Sequence, residues 1–188
     1  MLTHKGTQTI KTERLILRRF TVDDADLAFK NWESDERVTK FLSWDPHKSP
    51  EETRNLFAAW CEAYENPTTY NWAIEYEGQP IGSISVVRIS SNHEYAELGY
   101  CMGFDFWGKG IMTEAVKGVI GFLFEEVGMH RIAICHASQN PASGKVAEKC
   151  GLTLEGTQRE RFKSRWGEYL DIKVWSILKN EWMSMSDN

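Results

Sequence analysis

The stretch Gly103-Phe-Asp-Phe-Trp-Gly108-Lys109-Gly110-Ile-Met-Thr113-Glu114-Ala115 decides how this chain is read. A strand-like run, Tyr95 to Met102, precedes it, and a helix-like run, Ile111 to Val127, follows it. A glycine-rich turn at that junction offers free backbone N–H groups and the positive end of a helix dipole, so the chain is expected to hold a phosphorylated ligand. Two phosphate loops fit poorly. Gly103-x-x-x-x-Gly108-Lys109 has the Walker A frame, but the next position is Gly110, not the Ser or Thr that ligands Mg²⁺. Phe104, Phe106 and Trp107 are also bulky for a loop that curls round phosphates. A dinucleotide fingerprint needs a third glycine that Gly108-x-Gly110 lacks. An ordinary two-glycine helix entry stays open on the loop alone.

The 188 residues, 41% of them hydrophobic, suit one domain with a proper core. No segment approaches the roughly 20 apolar residues of a membrane span. The start Met1-Leu-Thr-His-Lys-Gly6 has no apolar signal-peptide region, and a cytoplasmic protein is expected. Cys61, Cys101, Cys135 and Cys150 show no C-x-x-C spacing and read as buried free thiols. The histidines are scattered without an H-E-x-x-H, so no metal is expected. A net charge of −5 argues against a nucleic-acid binder and is compatible with a cationic substrate such as an amine. Arg159, Arg161, Lys163 and Arg165 are a local exception, read first as a solvated hairpin face and second as a contact to an RNA-rich assembly.

Hydrophobic periodicity predicts a strand at Glu13–Phe20 and short helices at Ala25–Trp32 and Glu36–Leu42. Ser49-Pro50-Glu51-Glu52 is a capping box that opens a helix to about Glu65. The period then changes from 3.6 to 2. Tyr70–Tyr76 and Gln79–Ile89 form a hairpin round Glu77-Gly78, and Tyr95–Met102 is a central strand. The long helix after the glycine loop closes at Gly128. Arg131–Ala137 is a buried strand, Asn140–Lys149 a helix, and Thr153–Phe162 with Tyr169–Leu178 a last hairpin. One domain is expected over residues 10–182, with tails at 1–9 and 183–188.

That order is not a doubly wound alternation. Together with Thr12-Glu-Arg-Leu-Ile-Leu-Arg18, Ala96-Glu97-Leu98-Gly99-Tyr100, Trp107 to Ala115, Asn140-Pro-Ala-Ser143, Cys150-Gly-Leu152, Glu155-Gly156 and Asp171 with Trp175-Ser176, it resembles the GCN5-related N-acetyltransferase (GNAT) superfamily. More narrowly it resembles the RimJ/RimL-like branch of ribosomal-protein N-terminal acetyltransferases. The loop is similar to the family's Q/R-x-x-G-x-G/A, with Asp105 in place of the first residue. The resemblance implies a mixed α/β fold, in which helices flank a central, mostly antiparallel sheet. It also implies acetyl-CoA as cosubstrate, held where the strand ending at Met102 splays from Arg131–Ala137. Backbone groups at Leu98, Tyr100, Met102 and Phe104 would pair with the pantetheine arm, and Gly108, Lys109, Gly110, Ile111, Met112 and Thr113 would hold the pyrophosphate. Lys109 itself reads first as a solvated flank. The N–H near Met102 would stabilise the oxyanion.

The superfamily's usual acid for the leaving thiolate is a tyrosine whose position here is Ala147, so the RimL-like serine, Ser143, is assigned that role and Asn140 a pantetheine contact. The plain alternative is that both only cap a helix. A peptide α-amine with pKa near 8 loses its proton at pH 7 for about 1–2 kcal/mol, whereas an amine near 10.4 needs about 4–5. Glu97 is the candidate base, directly or through water, against a reading as an ordinary strand residue. His136 is a second candidate, with Glu160 and Asp171 as further acids facing the acceptor. Trp44, Trp72 and Asp171 are assigned to the acceptor pocket. The expected reaction is direct acetyl transfer in a ternary complex to a primary amine, first the N-terminal α-amine of a (ribosomal) protein. A small amine such as a polyamine, antibiotic or amino-acid derivative is the alternative acceptor, and a non-catalytic acetyl-CoA-binding protein the alternative class. A monomer or homodimer is expected, with no nucleic-acid or membrane partner.

Overall fold

The computed structural model describes residues 2–186. Eight strands form one sheet: β1 Ile10–Lys11, β2 Leu15–Arg18, β3 Asn71–Tyr76, β4 Gln79–Ser90, β5 Tyr95–Met102, β6 Arg131–Ala137, β7 Thr153–Lys163 and β8 Tyr169–Leu178. Their order is β1-β2-β3-β4-β5-β6-β8-β7, and every pairing is antiparallel except β5 with β6. The β3–β4 turn uses Glu77 and Gly78 at φ 51° and 77°, the left-handed pair that a tight hairpin needs.

Helices cover both faces of the sheet. On one side lie α1 Ala25–Ala28, which runs on as a π turn over Phe29–Glu33, then α2 Glu36–Thr39 and α3 Pro50–Ala63. Asp35 caps α2 by accepting from Arg37 N–H, and Ser49 caps α3 by accepting from Glu52 N–H. On the other side lie α4 Ile111–Phe122 and α5 Pro141–Lys149, with α6 Lys179–Ser186 at the end of the chain. The larger core packs α4 on Leu15, Leu17, Trp72, Ile84, Leu98 and Ile134, and the second packs α1 and α3 on Phe20, Trp32, Phe57 and Ala73. None of the helices among the described residues is long and apolar enough to cross a membrane.

Three expectations are revised. The first strand is shorter than Glu13–Phe20, because Arg14 N–H donates to the Glu114 carboxylate instead of to a neighbouring strand. The segment expected as an N-terminal tail is a docked strap: Thr3 N–H donates to Val127 O, Gly6 N–H to Pro67 O, and the Thr7 hydroxyl joins Thr69 O to Asn71 N–H. At the other end Lys179–Ser186 is helical, with Trp182 6.3 Å from Phe124 between ring centroids. Met1 and residues 187–188 of the expected tails lie outside the described residues.

Trp72, expected in the acceptor pocket, lies in the main core. It is fully buried on the α4 side, stacked on Tyr70 and edge-on to Phe122, and its indole N–H donates to Gln8 O at 2.7 Å. Trp72→Phe removes that hydrogen bond and part of the packing. It should lower unfolding stability by about 1–3 kcal/mol while leaving the Michaelis constants of both substrates unchanged. Denaturant melts and steady-state kinetics check this, and a raised acceptor KM would return Trp72 to the pocket.

Candidate functional site

The site begins where a ladder stops. β5 and β6 pair in register from Tyr95↔Arg131 to Leu98↔Ile134 and no further, although β5 runs on to Met102 and β6 to Ala137. Gly103 N–H donates to Ile81 O, so the alternation of the β4–β5 ladder directs the backbone groups of Gly99 and Cys101 towards β4 and those of Tyr100 and Met102 into the split. Met102 O is taken by the Trp107 indole N–H at 2.7 Å, which leaves its N–H directed into the gap. An extended polar arm can pair there as an added strand.

The glycine loop lies at the mouth of the split. Gly108 and Gly110 hold φ 77° and 76°, where a side chain would be strained. Gly110 is the N-cap of α4, and the first intrahelical bond runs from Glu114 N–H to Gly110 O. The amides of Ile111, Met112 and Thr113 therefore precede the helical ladder and suit an anion. Lys109 Nζ sits 5.4 Å over the Phe106 ring, beside the cradle, and Phe104 is partly exposed under the Arg37 guanidinium.

Glu114 in the first turn of α4 would repel an anion if left free. It accepts from the Thr12 hydroxyl at 2.6 Å, Arg14 N–H at 2.8 Å and Arg14 Nε at 2.7 Å, while Arg14 Nη1 donates to Lys109 O at 3.2 Å. Burial raises its carboxyl, but the Thr12 and Arg14 hydrogen bonds outweigh this and hold it below the usual range. The Thr12–Arg14 corner thus clamps the loop and meets the charge of the acid in the first turn of α4.

Across the split, Asn140 caps α5 by accepting from Ser143 N–H at 3.3 Å. The Tyr100 hydroxyl lies 2.9 Å from Ser143 Oγ and 3.2 Å from Ser143 O. Burial keeps the phenol protonated well past neutrality, so it is a donor. The sequence marks only the backbone of Tyr100, because no local pattern says that a strand side chain meets a helix 43 residues on. His136 is not available as a base. Its Nδ1 bonds Ala137 O, its Nε2 accepts from the Trp175 indole, and burial holds its pKa down.

The other face of β5 carries Glu97, which is buried, receives the Tyr95 hydroxyl at 3.1 Å and lies 3.6 Å from Arg88 Nη1. Next to it is Cys135, which receives Arg161 Nη1 at 3.6 Å. Phe41, Cys135 and Phe162 pack round Ala137, Leu170 and Ile172 on this face. Trp44 is half-buried against the second core, and the Arg165 guanidinium in the β7–β8 turn reaches Thr39 Oγ1 and Asp45 Oδ1. Asp171 accepts from Glu160 N–H at 2.9 Å and supports a bulge where Glu160 sits at φ 51°, so the Asp171 carboxylate serves the hairpin.

Glu33 was not singled out in the sequence. The π turn shifts the helical phase and carries it inward beside Trp32, whose indole N–H donates to Glu33 Oε1 at 2.8 Å. Oε2 has no hydrogen-bond partner among the described residues, and burial pushes the carboxyl up to about 7. An acid raised in this way adds stability fully below its unfolded value of about 4.5 and loses it as pH climbs through about 7. Glu33→Gln should therefore gain roughly 2–3 kcal/mol at pH 8 and little at pH 4, measured by denaturant melts at the two pH values.

A family model for the acetyltransferase (GNAT) domain matches residues 14–153. YdaF of Bacillus subtilis, named as a candidate ribosomal N-acetyltransferase, is 31% identical over 90% of this chain and 94% of its own. The ribosomal-protein-serine acetyltransferase of Escherichia coli is 28% identical over 63% of this chain and 67% of its own, and the spermidine N(1)-acetyltransferase of Vibrio cholerae is 23% identical over 88% and 95%. A GNAT-family acetyltransferase structure from Bacillus anthracis superposes with a TM-score of 0.81 at 26% identity, covering 92% of this chain and 99% of that one. The matched segment holds the elements that build the split, from β2 to α5, and the chain accordingly belongs to the GNAT acetyltransferase family, as an N-acetyltransferase that takes its acetyl group from acetyl-CoA.

Proposed function

We propose that the acceptor is the N-terminal α-amine of a protein, acetylated by direct attack in a ternary complex. The charge layout of the acceptor face carries this reading. Two buried acids, Glu97 on β5 and Glu33 in the π turn near Cys101 of the same strand, suit an amine, while Arg161 reaches Cys135 from β7 and Arg165 reaches Thr39 from the turn after it. Those guanidiniums disfavour a polycation and favour an acidic protein body whose terminus alone is basic. Relatives named for ribosomal N-acetylation support the same choice. The spermidine-acetylating relative, at lower identity, keeps a small amine as the second reading.

In this mechanism the amine loses its proton to Glu97 through water, a small cost for an α-amine near pH 7. Its lone pair attacks the thioester carbonyl carbon, and the Met102 N–H receives the developing oxyanion. Collapse breaks the C–S bond, and Ser143 Oγ–H protonates the departing thiolate. Tyr100, bonded to Ser143, relays a replacement proton to it from solvent, while the proton that the acylated nitrogen still carries passes to solvent, as does the one held by Glu97. Lys109 flanks the pyrophosphate cradle of Gly108 to Thr113 without a dedicated bond, and Asn140 aligns Ser143 while facing the pantetheine arm.

Release of CoA, followed by thiol titration, should show turnover on peptides that begin with Ser or Ala and not on spermidine or aminoglycosides. Intact mass identifies the product, and turnover on small amines alone would sink the protein-terminus reading. Ser143→Ala should lower kcat by about 100-fold with acetyl-CoA affinity nearly unchanged, and Tyr100→Phe should lower it by less. Glu114→Gln loosens the loop clamp and should raise the acetyl-CoA KM about 5- to 10-fold, with the acceptor KM unchanged.

A further inference from the structure

Glu33 is 2% exposed, yet one of its carboxylate oxygens has no hydrogen-bond donor among the described residues. Leaving such a group unmet costs folding free energy that a glutamine or an apolar residue would largely avoid. Three elements pack against it. Its own turn supplies the Trp32 indole, which satisfies Oε1. The segment after α2 supplies His47, whose Nε2 stands 3.8 Å from Oε2, beyond hydrogen-bond reach. The Nδ1 of that ring is engaged by Thr53 Oγ1 at 2.8 Å, and burial holds the imidazole neutral, offset in part by Glu52. From the sheet comes Cys101, bonded to Ser83 at 3.2 Å, whose thiol is pushed up to about 12 by burial first and by the Glu33 charge second. No lysine or arginine pairs with Glu33 among the described residues.

The position of this group matters. Cys101 immediately precedes Met102 on β5 and points to the same face as Glu97. The segment from Phe41 to Trp44 roofs that face. Phe41 packs on the Leu170–Ile172 cluster and Trp44 on the Trp32–Phe57 cluster. The roof is pinned to the β7–β8 turn by Arg165, which touches Thr39 and Asp45 at 3.4 and 3.5 Å. The Asp45 contact is a long ion pair to an exposed carboxylate, worth little in water, and the Thr39 contact is a single long hydrogen bond.

We infer that Glu33 is a specificity-determining residue, whose second carboxylate oxygen receives an N–H of the acceptor's cationic amine when the segment Phe41–Trp44 lifts from the β7–β8 turn. The inference rests on the acceptor face described under the proposed function. An ammonium brought against Glu33 supplies the missing donor and returns the carboxyl to its ionised form. Trp32, already bonded to Oε1, fixes the direction in which Oε2 points.

The test uses the full chain and the amine that the acceptor panel shows to be turned over best. Glu33→Gln should raise the KM for that amine about tenfold, with the acetyl-CoA KM within twofold and a melting temperature no lower than wild type. The acceptor kcat/KM of the unmodified protein should show a limb near pH 7 that Glu33→Gln lacks. Glu33→Ala is the second variant and should raise the acceptor KM at least as much. An unchanged acceptor KM and an unchanged pH profile in a folded Glu33→Gln protein overturn the inference and leave Glu33 a purely structural group. Turnover confined to small amines removes the protein-terminus reading, yet still tests Glu33 on those amines. A wild-type protein that binds acetyl-CoA and acetylates no amine in the panel overturns both.

Discussion

The rest of the site depends on one interruption of backbone pairing, the end of the parallel β5–β6 ladder at Leu98↔Ile134. A parallel ladder carried to the ends of both strands would consume the backbone groups of Tyr100 and Met102 that now open into the split. Beside the separation lies α5. A Cβ on Gly144 would lie 2.9 Å from His136 Nε2, so helix and strand meet there at close packing distance. His136 is in turn held by Ala137 O and the Trp175 indole on β8. His136 therefore serves the packing of α5 on β6 and β8.

The second organising element is the Thr12–Arg14 corner and its three hydrogen bonds to Glu114. In the sequence these are two motifs about a hundred residues apart. In the fold they are one clamp, joining the start of β2 to the first turn of α4 and to the carbonyl of Lys109. The clamp explains how an acid can stand in the first turn of a helix whose N-terminal amides suit an anion: its charge is already met by Arg14.

The buried acids of the chain differ in how fully their oxygens are met. Glu33 is held in a place where ionisation is disfavoured and one oxygen goes unmet, while Asp24, also buried though less deeply, is served by Arg18 and Thr21. The contrast between two buried carboxylates at either end of one short helical stretch, one satisfied and one not, is what marks Glu33 out. On the α4 side of the sheet, Trp72 and Tyr70 sit in a core whose polar atoms find partners, and there the packing serves the fold.

The sequence by itself determined the order of elements, the strand ends at Tyr95–Met102 and Arg131–Ala137, the caps at Ser49 and Asn140, and the glycine loop. All of these rest on periodicity, capping and left-handed glycines, which act between near neighbours in the chain. What only the tertiary structure decided is where distant side chains meet: Tyr100 on Ser143, Arg14 on Glu114, His136 on Trp175, Trp72 in a core and Glu33 turned inward by a π turn. Strand register and helix phase set those meetings, and each shifts by a whole face when one residue is added or removed, so a local pattern carries no record of them.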